Sequence, residues 1–339
     1  MMHFAAIDEG SANPLALSRA HYWRGRAAEA MGATADARMS YKAATRYSTA
    51  YYGQLARAKL GIDRIELRPP SPVPAAAETP ASDERVRAAD MLYGIGERDM
   101  VFYYAEDFAK ESTDVAALEA LGELAGRRND ARVMLEVGKS ALARGLALDH
   151  YAFPTIGIPE HKQVAPAIET SVIYSVARTE SSFDQRDKSA ANAVGLMQVT
   201  PEAGRDTARR FGLTYDWDRM VSDPVYNTQR GAAELSALLS EYRGDQIMTF
   251  AGYNAGRGRV REWVQARGDP RDPKVDPVDW VERIPLSETR NYVQRVMENV
   301  LVYRARFEGS GTATAKSEQR VTTHEVSAAP TAAAAAAAP

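Results

Sequence analysis

Apolar residues recur at three- and four-residue spacing through most of this chain, and that period leaves it little choice but helices. Ile168, Val172, Ile173, Val176 and Ala177 mark one helix with a single buried face. Leu118, Leu121 and Leu124 mark another, and Leu235, Leu238, Leu239 and Tyr242 a third. In the C-terminal half no strand pattern runs beyond a few residues, so the expected fold class is all-α.

Residues 15–61 read as helical hairpins. Ala20, Trp23, Ala27 and Ala30 space the first helix, with Gly32 as its C-terminal stop. Tyr41, Ala44 and Tyr47 follow, then Leu55, Ala58 and Leu60. Small residues and aromatics at this spacing suit stacked helix pairs of the tetratricopeptide kind. Pro69, Pro70, Pro72, Pro74 and Pro80 exclude helix over 64–84 and predict an extended linker. Helical spacing resumes at Ala88, Met91 and Leu92, then at Val101, Tyr104, Ala105 and Phe108. Asn129-Asp130 opens a further helix through Met134, Leu135 and Val137 that closes near Gly145. Pro154, Gly157, Pro159 and Pro166 punctuate a loop and predict a domain boundary near residue 150. The expected organisation is hairpin repeats over 1–63, a linker over 64–84, repeats again over 85–150, one catalytic unit over 151–308 and a disordered Ala-rich tail over 309–339.

Thr200-Pro201 and Asp223-Pro224 each pair an N-cap with proline at the first helical position. Residues 246–255 are helical up to the corner Gly256-Arg257-Gly258, and a short helix through Val260, Trp263 and Val264 follows. Ser287 caps the last long helix, with Val293, Val296, Met297, Val300 and Leu301 as its apolar face.

With 339 residues the chain can bury two cores, and its net charge of −3 with no basic block gives nucleic acid no footprint. It has no cysteine, which excludes disulfides, thiolate metal sites and a thiol nucleophile. The five histidines (His3, His21, His150, His161, His324) have no ligand spacing, so no metal and no cofactor is expected. No apolar run is long enough to span a bilayer. Met1 to Asn13 carries Asp8 and Glu9 without an apolar core, so no signal peptide is visible. Any chemistry then falls to carboxylates and hydroxyls.

Glu180 is the carboxylate best placed for it. It lies four residues past Val176 and seven past Ile173, on the buried stripe and at the negative end of its helix dipole. Desolvation and the dipole both raise its pKa, which suits a general acid. A glutamate that snorkels to solvent is the bland alternative.

Glu180-Ser181, Gly195-Leu196-Met197-Gln198 and Ala251-Gly252-Tyr253-Asn254-Ala255-Gly256, followed by Ile284-Pro285-Leu286-Ser287-Glu288-Thr289-Arg290-Asn291-Tyr292, resemble the ordered motifs of the soluble lytic transglycosylases. These are lysozyme-like enzymes that cut the glycan strands of bacterial peptidoglycan. The resemblance covers about residues 165–308. It implies a lysozyme-like catalytic domain behind a helical superhelix, of which only a fragment fits here. It also implies work in the periplasm, which conflicts with the absent signal and suggests a truncated or misassigned start. Partners in cell-wall synthesis or secretion are not identified by it.

By the same resemblance Glu180 protonates the departing oxygen of the MurNAc-β-1,4-GlcNAc bond. It then accepts the proton of the muramic O6 hydroxyl, which closes a 1,6-anhydro ring. Ser181, Ser189, Gly195, Met197, Gln198, Tyr253, Asn254, Glu288 and Tyr292 are the matched substrate-side residues. In particular Ser189 contacts the sugar, Met197 and Gln198 line the cleft, and Gly195 lets the glycan approach. Tyr253 stands beside the acid, Glu288 and Arg290 meet the peptide or pin the domain, and Tyr292 closes the far side. One departure is Ala251-Gly252 where Ala-Ala or Ala-Ser is usual. Two other readings stay open: a hydrolytic muramidase helped by Asp184 or Asp187, and a helical adaptor that only binds glycan.

Overall fold

The computed structural model describes residues 13–68 and 83–309, and sixteen helices carry the chain through them. Most of the Pro-rich linker, the N-terminal twelve residues, the tail from 310, and with them His3 and His324, lie outside the described residues. No strand forms among those described; two isolated bridges, Lys188 with Val194 and Val194 with Val199, are the nearest approach.

Helices α1 (Pro14–Ala30), α2 (Thr34–Ala44) and α3 (Tyr51–Lys59) make the first unit. Its core gathers Tyr22, Tyr41, Tyr51 and Tyr52 with Ala28, Ala44 and Ala56. Ala20 of the expected face of α1 is core, but the rest of that face is out of phase with the observed one. Ser18, Tyr22, Gly25 and Ala28 point inward, because the absent side chain of Gly25 leaves a flat for the Tyr41 ring. Trp23 is only half-buried and lies under the Arg26 guanidinium.

α4 (Glu84–Gly94), α5 (Arg98–Glu111), α6 (Val115–Arg127) and α7 (Ala131–Ala143) form the second unit, closed by the short α8 (Asp149–Ala152). Asp83, Asp114 and Asp130 cap three of these helices with side-chain acceptors. Leu118, Leu121, Leu124 and Val137 are core as expected, but α4 turns Val86, Ala89 and Tyr93 inward and leaves Met91 71% exposed.

The C-terminal half runs α9 (Thr170–Glu180), α10 (Pro201–Phe211), α11 (Trp217–Ser222), α12 (Pro224–Glu241), α13 (Gln246–Ala255), α14 (Arg257–Arg267), α15 (Pro277–Glu282) and α16 (Ser287–Gly309). Thr200 and Asp223 cap α10 and α12 ahead of their prolines, and Gly212 ends α10 in the left-handed region at φ +64°. The corner after α13 is Gly256 alone; Arg257 and Gly258 already belong to α14. On α16, Val293, Val296 and Val300 are core and Tyr292 and Tyr303 join them, while Leu301 is exposed.

The large apolar cluster of this half takes in Ala152 and Phe153 and reaches back past residue 150 to Ala131 and Leu135. The first unit docks on the same half. Arg19 pairs with Glu282 at 2.8 Å, and Arg26 with Asp276 at 3.2 Å and Asp279 at 3.3 Å. The Tyr51 amide donates to Glu298 Oε2 at 2.6 Å, and the Gln54 amide to the Glu298 carbonyl at 3.0 Å. A clasp at Asp149, buried and bidentate with Arg68, fixes the irregular segment that leaves this unit.

Candidate active site

Glu180 is the last residue of α9, a helix whose Val172, Ile173, Val176 and Ala177 are all buried. α9 lies against α16 and is bolted there by two side chains, Arg178 and the buried Asn299. Arg178 donates to the Ala152 carbonyl at 2.9 Å and to Asn299 Oδ1 at 3.0 Å; Asn299 Nδ2 donates to Thr179 Oγ1 at 3.1 Å. The helix end therefore has a fixed height and rotation, and the Glu180 carboxyl inherits both.

Burial is the main cause of a Glu180 pKa pushed up to about 7. The nearby Tyr292 hydroxyl opposes that rise, while Glu288 and Asp187 add to it. Tyr292 is itself buried, with its hydroxyl close enough to the Glu180 carboxyl to act on it as a hydrogen-bond donor. The Tyr253 hydroxyl, on α13, is committed: it donates to the Met197 carbonyl at 2.7 Å. Burial first, then the Glu180 charge, lifts both tyrosines well above the ordinary phenol pKa, so they stay neutral donors.

The loop Gly195–Gln198 is built around a residue that the motif reading passed over. Asn227 of α12 is fully buried. Its Oδ1 accepts from the Met197 amide at 2.9 Å, and its Nδ2 donates to the carbonyls of Val194 at 2.8 Å and Met220 at 3.1 Å. Asn227, Gly231, Leu235 and Leu238 share one stripe of α12, so a polar residue on an apolar face was the available signal. Gly195, at φ +78°, is glycine because a methyl group there would overlap the Asn227 amide. The close approach that this glycine permits in the structure is that of the Asn227 side chain.

Met197 is also corrected. Its side chain is 0% exposed and packs on Gly231, so it belongs to the core rather than to a cleft wall. Only its carbonyl reaches the site, through Tyr253. Ser181 points inward as well, donating to the Leu196 carbonyl at 2.9 Å with the Ala177 carbonyl 3.2 Å away. Gln198 sits at φ +44°, half-buried, with its amide on the carbonyls of Asp187 and Gly195. Ser189 is exposed and opens the 189–193 turn, accepting from the Ala193 amide at 3.1 Å.

Asn254 accepts from Thr289 Oγ1 at 2.6 Å, tying α13 to α16. Glu288, next to that tie, is exposed. Arg290 turns away from it towards the carbonyls of Ile284 and Glu282. The Ala251-Gly252 departure has a local cause: a methyl group on Gly252 would come within 3.0 Å of the Tyr242 ring.

Of the two possible helper carboxylates, Asp184 is taken up by Arg132 at 3.3 Å and by the Arg186 amide at 2.9 Å. Asp187 is exposed. Immediately after Glu180, Ser182 and Phe183 adopt consecutive left-handed conformations at φ +52° and +66°. For non-glycine residues each costs about 1–3 kcal/mol, a strain typical of functional turns. Among the described residues no cluster of side chains is suited to a metal ion, and no helix is long and apolar enough to cross a membrane.

Residues 158–275 match the family described as Transglycosylase SLT domain. Over 138 residues the chain is 35% identical to the soluble lytic murein transglycosylase of Escherichia coli K12, covering 40% of this chain and 21% of that protein. It is 33% identical over 145 residues to the membrane-bound lytic murein transglycosylase C of Haemophilus ducreyi, covering 38% of this chain and 40% of the relative. The chain thus spans 21% of the length of the soluble E. coli relative. Its fold is that of the 70 kDa soluble lytic transglycosylase crystal structure from E. coli, with a TM-score of 0.68 and 23% identity over 86% of this chain and 46% of that one. An inactive mutant of Slt from Pseudomonas aeruginosa superposes similarly, with a TM-score of 0.67 and 24% identity over 91% and 49%.

Proposed function

From the premise that residues 158–275 belong to the transglycosylase SLT domain family, we propose that this chain is a peptidoglycan lytic transglycosylase acting at the bacterial cell wall, in the periplasm. The single observation that carries the reading is Glu180, a half-buried carboxyl whose desolvation lifts its pKa to about 7, with the Tyr292 hydroxyl beside it.

A group poised at that value gives up its proton and takes one back at neutral pH. Glu180 protonates the glycosidic oxygen as the bond from the MurNAc anomeric carbon breaks. The muramic O6 hydroxyl then attacks that carbon and returns its proton to Glu180. The 1,6-anhydro ring closes, no water is consumed, and the acid ends as it began. Asp184, held in ion pairs, offers no second carboxylate beside it.

The other assignments follow the same reading. Tyr292 donates to the substrate or to ionised Glu180, and Gln198 and Asn254 border the sugar. Glu288 and Ser189 sit where a peptide or an outer sugar passes. Residues 151–308 form the catalytic unit and the helical units before it serve as its frame. The named activities of the relatives support this reading, as does the presence of a complex with bulgecin A among the similar structures.

Mass spectrometry of muropeptides released from purified sacculi tests it. Products lighter than reducing-end muropeptides by one water are expected, and none from Glu180→Gln. Reducing ends would establish a muramidase and return attention to Asp187, whose charge reaches Glu180. Equal inertness of both proteins, with glycan still bound, would leave an adaptor.

A further inference from the structure

The strained turn after Glu180 is held from outside the C-terminal half. Phe183 packs against Tyr174, ring centroids 6.0 Å apart, and against Gly157, which in turn abuts Ala131 at the start of α7. Arg132, the next residue of α7, lies 3.3 Å from Asp184, and its guanidinium stands 3.7 Å from the centre of the Phe102 ring on α5. Arg186 reaches across to Asp99 of α5 with two bonds, 2.9 and 2.5 Å. Asp99 also lies 3.7 Å from Arg132, which closes the circuit. Between them, Gln185 accepts from the Leu196 amide at 3.2 Å, so the same turn carries the Gly195–Gln198 loop.

Beside this circuit is a cavity of about 710 Å³. Phe183, Asp184 and Arg186 line one side of it, and Arg98, Phe102 and Arg132 the other. A left-handed phenylalanine next to open space persists only while its surroundings over-determine it.

We propose that Arg132 and Asp99, carried by α7 and α5, are positioning residues for Glu180: through Asp184 and Arg186 they clamp the Ser182–Arg186 turn and so fix where α9 delivers its acid. The inference rests on the reading of Glu180 as the acid. The Asp99–Arg186 pair is exposed and weak alone. Arg132 is the keystone, because it joins Asp184, Asp99 and Phe102 at once.

The test is Arg132→Gln in the full chain. A displaced acid lowers the chemical step, so kcat on sacculi should fall about tenfold with KM unchanged. Arg132→Lys should recover most of it. Asp184→Asn should match Arg132→Gln, and the double variant should be no worse than either. An infrared titration of the Glu180 carboxyl, assigned by its loss in Glu180→Gln, needs no turnover. Its midpoint should move from near 7 towards ordinary carboxylate values in Arg132→Gln. Should the wild type release no anhydro product, the functional reading falls while this titration still decides the clamp. Full kcat together with an unmoved titration would overturn the proposal. A joint loss of KM, kcat and melting temperature that Arg132→Lys does not repair would also overturn it. If Arg132→Gln does not fold, Asp99→Asn at an exposed position should give the same kcat-only loss at about threefold, and its absence would sink the idea.

Discussion

The Tyr253 hydroxyl and the Met197 carbonyl oxygen, 2.7 Å apart, join α13 to the loop that Asn227 also holds. Tyr253→Phe removes the donor and leaves a buried carbonyl unsatisfied. The loss should be about 1–3 kcal/mol in urea unfolding, with turnover lowered further because the loop carries Gln198.

Glu180 governs the pH response of the proposed reaction. The protonated form is needed to start it, so the rate should fall as pH rises through about 7, the value to which burial lifts this carboxyl. A pH–rate profile on sacculi reads this directly. A limb near 4.5 instead would mean that the acid is solvated during turnover.

Glu298 predicts a second pH effect, on stability. Burial raises its pKa to about 7, above the ordinary glutamate value it regains on unfolding. Between those two values the unfolded state holds fewer protons than the folded one, so stability is full at low pH and is lost as pH rises to about 7. Glu298→Gln keeps an acceptor for the Tyr51 amide and cannot ionise. It should match the wild type at pH 4 and exceed it at pH 8 by a few kcal/mol, on the order expected for such a shift, as read by chemical unfolding at both pH values.

Asn227→Asp keeps size and acceptor but loses the two bonds to the carbonyls of Val194 and Met220. Destabilisation of about 2–4 kcal/mol is expected from two buried carbonyls left facing a carboxylate. Thermal unfolding at neutral pH measures it, and an unchanged melting temperature would contradict the role given to this side chain.

Gly252→Ala would ordinarily gain about 1 kcal/mol inside a helix. Here the new methyl group meets the Tyr242 ring at 3.0 Å and Leu238 at 3.2 Å. The variant should therefore be no more stable than the parent in urea, and a full propensity gain would show that Tyr242 yields freely.

Periodicity was enough to read helix positions and most starts, because caps such as Thr200-Pro201 and Asp223-Pro224 act within a few residues. It was weaker on which face turns inward. α1 and α4 are rich in alanine and small residues, so their phase depends on partners elsewhere: Gly25 receiving Tyr41, and Tyr93 sealing α4. At the site, the place of Glu180 at the end of a buried stripe was legible from spacing alone. Met197 and Ser181 were not, since a motif records which residues recur and not which way a side chain faces. The support given to the Glu180 turn by Asp99 and Arg132 was beyond reach, for it joins residues more than 40 positions apart.

α16 holds several of the groups that surround Glu180. Tyr292 faces the acid, Thr289 holds Asn254, Asn299 holds Arg178 and Thr179, and Glu298 receives the first helical unit. A piece of chain cut off before this helix would still contain Glu180, Gln198 and Tyr253. It would be a mould with one side missing: α9 would face solvent, its glutamate would ionise like any other, and the fragment would carry the signature residues without the chemistry.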